Sequence, residues 1–464
     1  MLRIATVVLL LLCASQPCLS QNIVIGIIGD QTKAPNDASQ YEILKKGVAT
    51  LNEHRPDIVV HVGDLLESVT PDLQPTKASD YQASYAMATG ILNELSCKWY
   101  LSAGDHDVNP PYTKLDDTTI RDLFQTIYPP AKEHLYYSFD AKGYHFIALS
   151  SQEVPNLDPR WGDIFRDHLS AQQITWLKDD LHRNQRAKGI IVFMHQPLWY
   201  QWTDWAPIHA LLRENHVKAV VAGHFHYNQD EGELDGIRYL VVGATGADTK
   251  AGSPEAGNLQ HVSLITIENG GVRKLALLPL RNEPVTSFSS RQDMDRVQAL
   301  DVGLGQAFND TAENHNQVRR IGSDNVWKSC AGDKNASLTL KSVGNPIDQP
   351  VTLTITPSGN FQPTGAKFVS KLCKPGDGTN CELPPGALVA YSNNSAVDPA
   401  YRSCGDSGCK YRDVEPLWTA QFPTQTSDGK AVSEKFTLKA TFRGESGQMI
   451  EVDKTIPLGT FCDP

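Results

Sequence analysis

Three features of this sequence predict an α/β fold for its longer amino-terminal part and an antiparallel β fold for the rest. Apolar, β-branched runs in the first part each end in an Asp or a His. That places reactive side chains at one edge of a sheet, where open α/β folds put their ligand sites. Beyond residue 325 the chain alternates with period two, as in SLTLKSV, VTLTITPSG, KFTLKATF and MIEVDKTI, the pattern of half-buried strands. Cysteine is also divided unequally: past residue 20, Cys97 stands alone in the first part, whereas Cys330, Cys373, Cys381, Cys404, Cys409 and Cys462 all lie in the second.

A length of 464 residues suits two domains, each large enough for its own core. The first is expected over 21–282, closing after the alternating strands HVSLITIEN and VRKLALLPL. Residues 283–324, rich in Gln, Asn, Asp and Ser, read as a linker with one helix over Met294 to Leu304. The remainder, 325–464, reads as a small β-sandwich, immunoglobulin-like in its short alternating strands. Six cysteines in a secreted segment imply three disulfides. Short loops favour Cys373 with Cys381 and Cys404 with Cys409, leaving Cys330 to close the domain with Cys462. Cys97, just before a strand, reads as a small buried hydrophobe.

Residues 1–20 carry one basic residue, Arg3, an apolar stretch from Ile4 to Ala14, and small side chains at Cys18 and Ser20 suited to cleavage. This reads as a signal peptide, so the expected location is secreted, extracellular or periplasmic. Its apolar core is too short to span a bilayer, and no later run is long enough to do so. Removing Arg3 would take the formal charge from −11 to −12. An acidic chain of this kind is a poor non-specific binder of nucleic acid, a nucleotide substrate aside.

The chemistry sits in five short motifs. They are Gly29-Asp30 after IVIGII, Gly63-Asp64 after IVVHV, Gly104-Asp105-His106-Asp107 after WYLSA, His195 after IIVFM, and Gly223-His224-Phe225-His226 after AVVA. Taken singly, each has an ordinary structural reading. Gly-Asp is a common turn, a lone His is usually a hydrogen-bonded core residue, and a His-x-His pair can be a solvated turn. In extended backbone, however, His224 and His226 point the same way. Five such motifs, all at strand ends, are improbable as coincidence.

In motif order and spacing these residues resemble the calcineurin-like metallophosphoesterase superfamily, which includes the purple acid phosphatases, over about Asn22 to Leu280. The resemblance implies a four-layer αββα sandwich, two mixed sheets face to face with helices outside, and a bimetallic hydrolytic centre. It implies Asp64 as the bridging carboxylate, Asp30 and His226 on one metal, and Asp105, His195 and His224 on the other. His106 would stay off the metals as a proton donor to the leaving oxygen, oriented by Asp107. Two metal ions about 3.5–4 Å apart need such a shared anionic ligand and lower the pKa of bridging water toward neutrality. The implied cofactors are two ions among Fe, Mn and Zn, and the implied substrate is a phosphomonoester or phosphodiester.

Two positions depart from the family pattern. Many members carry Asp-x-His at the first motif, but this chain has Asp30-Gln31-Thr32. The purple acid phosphatases use a tyrosine three residues after the bridging aspartate, and Glu67 stands there instead. The first site therefore has either a new ligand, with Glu67 and Gln31 the candidates, or an open coordination sphere, and is expected to bind its metal more weakly. The second departure is Asp105 in place of Asn, which strengthens cation binding but adds a charge that repels a phosphate ester. A metal-dependent binding protein without catalysis is the reading from another class. A glycan- or protein-binding role for the carboxy-terminal domain is a third, although no specific aromatic platform supports it. The segment Gln196 to Trp205, with three tryptophans, is read as packing onto the next helix, with stacking on a substrate ring as the alternative.

Overall fold

The computed structural model describes residues 22–301, apart from 33–38, 68–75, 109–117, 153–167, 201, 250–251 and 269. Beyond these it describes residue 347 and a set of strand segments between 318 and 460. The expected signal peptide lies outside the described residues. No helix among them is long and apolar enough to cross a membrane.

Two sheets build the first part. The first has five strands in the order β11-β10-β1-β2-β3. These are β1 (Ile23–Ile28), β2 (Ile58–His61), β3 (Trp99–Leu101), β10 (His261–Glu268) and β11 (Gly271–Pro279). β1, β2 and β3 run parallel, with Ile28 beside His61 and His61 beside Leu101, so all three end at one edge. The second sheet runs β12-β8-β9-β7-β6-β5-β4. Its strands are β4 (Tyr137–Ala141), β5 (Tyr144–Ala148), β6 (Ile190–Phe193), β7 (Val217–Ala222), β8 (Gln229–Leu234), β9 (Ile237–Val241) and β12 (Ser289–Ser290). β5, β6, β7 and β9 are parallel neighbours.

Strands buried on both faces read as continuous apolar runs, as IVIGII and IIVF do. Between the sheets, Ile25, Ile27 and Val60 meet Phe146, Phe193 and Val221 in one core. The outer face of the first sheet packs on helices α1 (Ser39–His54), α2 (Ala78–Leu92) and, after the single turn α3 (Asp105–Val108), α4 (Thr118–Ile127). Leu44, Leu51, Tyr81 and Phe124 are the buried side chains there. The outer face of the second sheet takes α5 (Ala171–Arg183) and α6 (Trp202–Glu214) through Leu177, Leu181, Trp205 and Leu212. Helix, sheet, sheet, helix is the layer order, as the resemblance implies. Ser170 caps α5, its Oγ accepting from Gln173 N at 3.1 Å.

The tryptophan-rich segment is spent on packing. Trp199 and Trp205 are buried in the outer core, Trp205 Nε1 donating to Tyr239 Oη at 3.2 Å, and only Trp202 stands out in solvent. Cys97 is a half-buried free thiol packed beneath the first sheet, its pKa pushed up by burial.

Residues 291–301 form a helix, α7, directly after β12, which pairs in parallel with β8. The described residues of the last part form strands and turns. A six-stranded sheet contains β16 (Val351–Pro357), β22 (Lys435–Arg443) and the long β23 (Met449–Thr460), and a three-stranded sheet accompanies it. Of the six cysteines expected to pair, Cys330, Cys373, Cys381 and Cys462 lie outside the described residues. Cys404 and Cys409 face each other as register partners across a hairpin.

Candidate metal centre

Carboxylates come from the first sheet and imidazoles from the second. Asp30, Asp64 and Asp105 follow β1, β2 and β3, while His195, His224 and His226 follow β6 and β7. The strand-end loops are tied together by backbone bonds: Asp30 N to Gly63 O at 3.0 Å, Gln31 N to Asp64 O at 3.1 Å, and Gly223 N to His195 O at 2.8 Å. Two motif glycines are needed for closeness. A Cβ on Gly104 would lie 2.2 Å from Asp64 Oδ1, and one on Gly223 would lie 2.4 Å from Asp30 Oδ2. The motifs thus occupy one another's side-chain space.

Asp30, Asp64, His224 and His226 all have left-handed backbone, with φ of 51°, 57°, 72° and 58°. For non-glycine residues this costs about 1–2 kcal/mol each. Asp and His tolerate it best, and such outliers gather at functional sites. The turn at each strand end is what aims the side chain inward.

His195 is the hub. Its Nδ1 lies 2.9 Å from Val62 O, which as an acceptor requires Nδ1–H and leaves Nε2 as the lone-pair nitrogen. That Nε2 is 2.8 Å from Asp105 Oδ1, 3.3 Å from Asp64 Oδ1 and 3.1 Å from His224 Nδ1. His224 Nδ1 is in turn 3.1 Å from Asp105 Oδ1. On the other side, His226 Nδ1 is fixed by Asp248 O at 2.7 Å, and its Nε2 is 3.9 Å from Asp30 Oδ1. Donor atoms of Asp105, His195 and His224 lie within 4.8 Å of one another, as do those of Asp30, Asp64 and His195. All six sequence-predicted ligands are therefore brought together.

This donor set fits metal ions. Asp30 Oδ2 and Asp64 Oδ2 are buried with no hydrogen-bond partner, an expensive arrangement unless a cation meets them. Burial pushes the Asp30 carboxyl up to about 8, against the pull of His195, with Asp64 adding to the rise. Burial also opposes charge on Asp105, but His224 and His195 outweigh it and hold that carboxyl well below the usual range. The site concentrates more carboxylate than its own histidines neutralise.

The pair expected at His106 needs correction. Asp107 does not orient His106. Its carboxylate is spent on backbone: Oδ2 accepts from Asp64 N at 2.9 Å and Gly104 N at 2.8 Å, and Oδ1 from Leu66 N at 2.8 Å. Asp107 shapes the loop that presents Asp64. The partner of His106 Nδ1 is Glu67 Oε2 at 2.8 Å. Burial disfavours the charged form of His106, yet Asp64 and Glu67 push its pKa up to about 10. His106 N donates to Asp64 Oδ1 at 3.1 Å, and its Nε2 lies 3.9 Å from Asp105 Oδ2.

At the first motif Thr32 is buried, and Gln31 Nε2 donates to Leu65 O at 2.8 Å. Gln31 Oε1 is buried without a hydrogen-bond partner. With Glu67 engaged by His106, Gln31 is the better placed of the two candidates for the missing ligand. The Asp248 carbonyl that fixes His226 carried no signal in the sequence, because any residue type supplies a carbonyl.

Buried carboxylates and imidazoles at the shared edge of two mixed sheets define a metal-binding α/β sandwich. Residues 23–228 match the family Calcineurin-like phosphoesterase, so this part of the chain is similar to that superfamily. It is 28% identical over 138 residues to purple acid phosphatase 23 of Arabidopsis thaliana, covering 26% of this chain and 27% of that protein. It is 26% identical over 184 residues to a probable cyclic nucleotide phosphodiesterase of Rhodococcus erythropolis, covering 38% of this chain and 52% of that protein. The chain thus spans about a quarter and about half of the curated relatives it matches. A dimetal phosphatase from Danio rerio aligns with a TM-score of 0.39 at 15% identity, over 56% of this chain and 99% of that one.

Proposed function

We propose that this protein is a metal-dependent phosphoesterase hydrolysing a phosphomonoester or phosphodiester. The observation carrying the reading is the pair of buried, partnerless carboxylate oxygens on Asp30 and Asp64, set among imidazole nitrogens whose opposite ring atoms are already tied to backbone carbonyls. Asp64 would be shared, with Asp30, His226 and Gln31 completing one ion's set and Asp105, His195 and His224 the other's. Two such ions, drawn from Fe, Mn and Zn, supply Lewis acidity: they lower the pKa of water and offset phosphoryl charge.

The chain's own residues do the rest. Val62 O and Asp248 O fix which imidazole nitrogens carry lone pairs, so the donor geometry exists before loading. Asp107 locks the turn that presents Asp64. His106, protonated on Nδ1 toward Glu67, holds a second proton at Nε2 for the departing oxygen. The sequence similarity to a phosphatase and to a phosphodiesterase supports the reaction class, and the choice of ester is part of the proposal. So are export through residues 1–20 and three disulfides in the last part, beginning with Cys404 and Cys409. Mass mapping tests these: six free thiols, or an intact amino terminus on secreted protein, would sink them.

The central test combines metal analysis with turnover of p-nitrophenyl phosphate and bis-p-nitrophenyl phosphate. Two metals per chain and turnover of either ester is the expected result. One metal without turnover favours the binding protein instead.

A further inference from the structure

We propose that the β22–β23 hairpin is a strut for the first metal half-site, with Asp293 and Ser253 as its positioning residues. This rests on the metal-binding reading above.

The loop segments 243–249 and 252–260, joined where Gln260 bonds Gly246 N and Ala247 O, hold that half-site from behind. Thr245 N and Ala247 N both donate to Asp30 O at 3.0 Å, and Asp248 O fixes His226 Nδ1 at 2.7 Å. A Cβ on Gly246 would lie 3.0 Å from Gln31 O, so the loop is pressed against the first motif. Asp30, Gln31 and His226, the residues assigned to one ion alone, all lean on this loop.

The opposite side of the loop faces the carboxy-terminal hairpin. Glu451 N, on β23, donates to Ser253 Oγ at 3.1 Å. Ala256 is buried in one apolar cluster with Val297, Phe442 and Val452. Gly252 approaches α7 so closely that a Cβ would lie 2.8 Å from Val297 Cγ1. The hairpin is pinned by the fully buried Asp293 of α7, whose carboxylate accepts from Glu445 N at 2.9 and 3.1 Å. Arg296 Nη1 closes the junction, donating to Asp293 Oδ1 at 3.0 Å and Glu445 Oε1 at 2.7 Å. Hairpin, α7, loop and ligands are thus in continuous contact. Among the described hydrogen bonds, none from this loop reaches Asp105, His195 or His224.

Coupling through such a path is reciprocal: what stabilises the hairpin tightens the metal, and the metal stabilises the hairpin. The experiment needs the full chain and Mn²⁺ alone. Amide exchange of the unmodified protein, metal-free and Mn²⁺-loaded, should show loading slowing exchange at Glu445 and Glu451 by at least about fivefold, the low end of usual coupling. In Asp293→Ala and Ser253→Ala, Mn²⁺ affinity of the weaker site should fall by at least about fivefold while the tighter site is unmoved. Ser253→Thr, which keeps the hydroxyl, should restore it. Hairpin exchange indifferent to loading, or a weaker site unaltered in Asp293→Ala, overturns the strut and leaves the metal reading standing. Failure of the unmodified chain to bind Mn²⁺ overturns both.

Discussion

Glu67 Oε2 sits 2.8 Å from His106 Nδ1, and the carboxylate next to His106 in sequence faces away onto backbone amides. This separates two jobs that adjacency in the motif runs together. Asp107 serves the turn, where leaving three amides unmet would cost about 1–3 kcal/mol apiece. Glu67 serves the ring. His106→Ala is therefore expected to lower turnover by about 10²–10⁴-fold with both metals retained, the usual range for losing a general acid. Glu67→Ala should cost less, about 10–100-fold, again with metal retained, since the imidazole remains but is no longer held. Loss of metal in either variant, read by elemental analysis, would make the altered residue a ligand and reverse the assignment. Gln31→Ala carries the complementary expectation. Its Oε1 is buried without a hydrogen-bond partner, and if it completes the first site as proposed, one of two Mn²⁺ affinities should weaken. Two unchanged affinities in a titration would show that another donor fills the place.

At the scale of elements, β5 and α5 are joined by a device remote from the metals. His145 lies between carboxylates of two elements, Nδ1 at 2.7 Å from Asp140 Oδ1 on β4 and Nε2 at 2.7 Å from Asp180 Oδ2 on α5, with Arg183 also on Asp180 at 3.3 Å. Burial opposes charge on this imidazole, but the bonds to Asp180 and Asp140 outweigh it and raise its pKa. Asp180, despite its burial, is lowered by His145. A raised His pKa gives stability that is present below the unfolded value, about 6.5, and fades as pH rises through the folded one. A lowered Asp gives stability present above about 3.9 that fades as pH falls. The cluster should contribute most between those limits. Urea midpoints for His145→Gln should fall furthest from the parent near pH 5–6 and converge on it at alkaline pH, and a pH-independent difference would refute the ionic account. The strand ends bearing metal donors were legible in the sequence because β-branched runs and their terminal Asp or His are both local signals. The loop segments 243–249 and 252–260 were not legible: their glycines, Ala and Thr look like any connection, and their role comes from carbonyls and close approach. The exchange of Glu67 for Asp107 was hidden for a related reason, since it depends on two loops meeting across β2 and β3.

For the whole molecule, the boundary between an α/β part and a β part is visible in composition, but the apolar contacts do not stop there. Met294, Val297 and Leu300 of α7 share one buried cluster with Val220 and Trp205 on the α/β side and Phe442, Ile450 and Val452 on the other. Such a shared core makes the two parts unfold together, so stability added at the metal centre is felt by both. Metal-free protein carries Asp30, Asp64 and Asp105 against one another in a chain of net charge −11, and removing the ions restores that repulsion. Each ion present at about 100 times its Kd adds about 2.7 kcal/mol. With about 2.1 cal/mol/K of unfolding entropy per residue and both parts unfolding as one, about 1 kcal/mol moves the melting temperature by only about 1 °C. Loading one site should therefore raise Tm by about 3 °C over chelator-treated protein, and loading both should raise it further. Calorimetry with and without Mn²⁺ checks this, with near-ultraviolet circular dichroism reporting on Trp199 and Trp205. A carboxy-terminal transition that stays put while the other shifts would mean the shared cluster does not couple the two parts. A Tm indifferent to Mn²⁺ would mean that these carboxylates hold no ion at all.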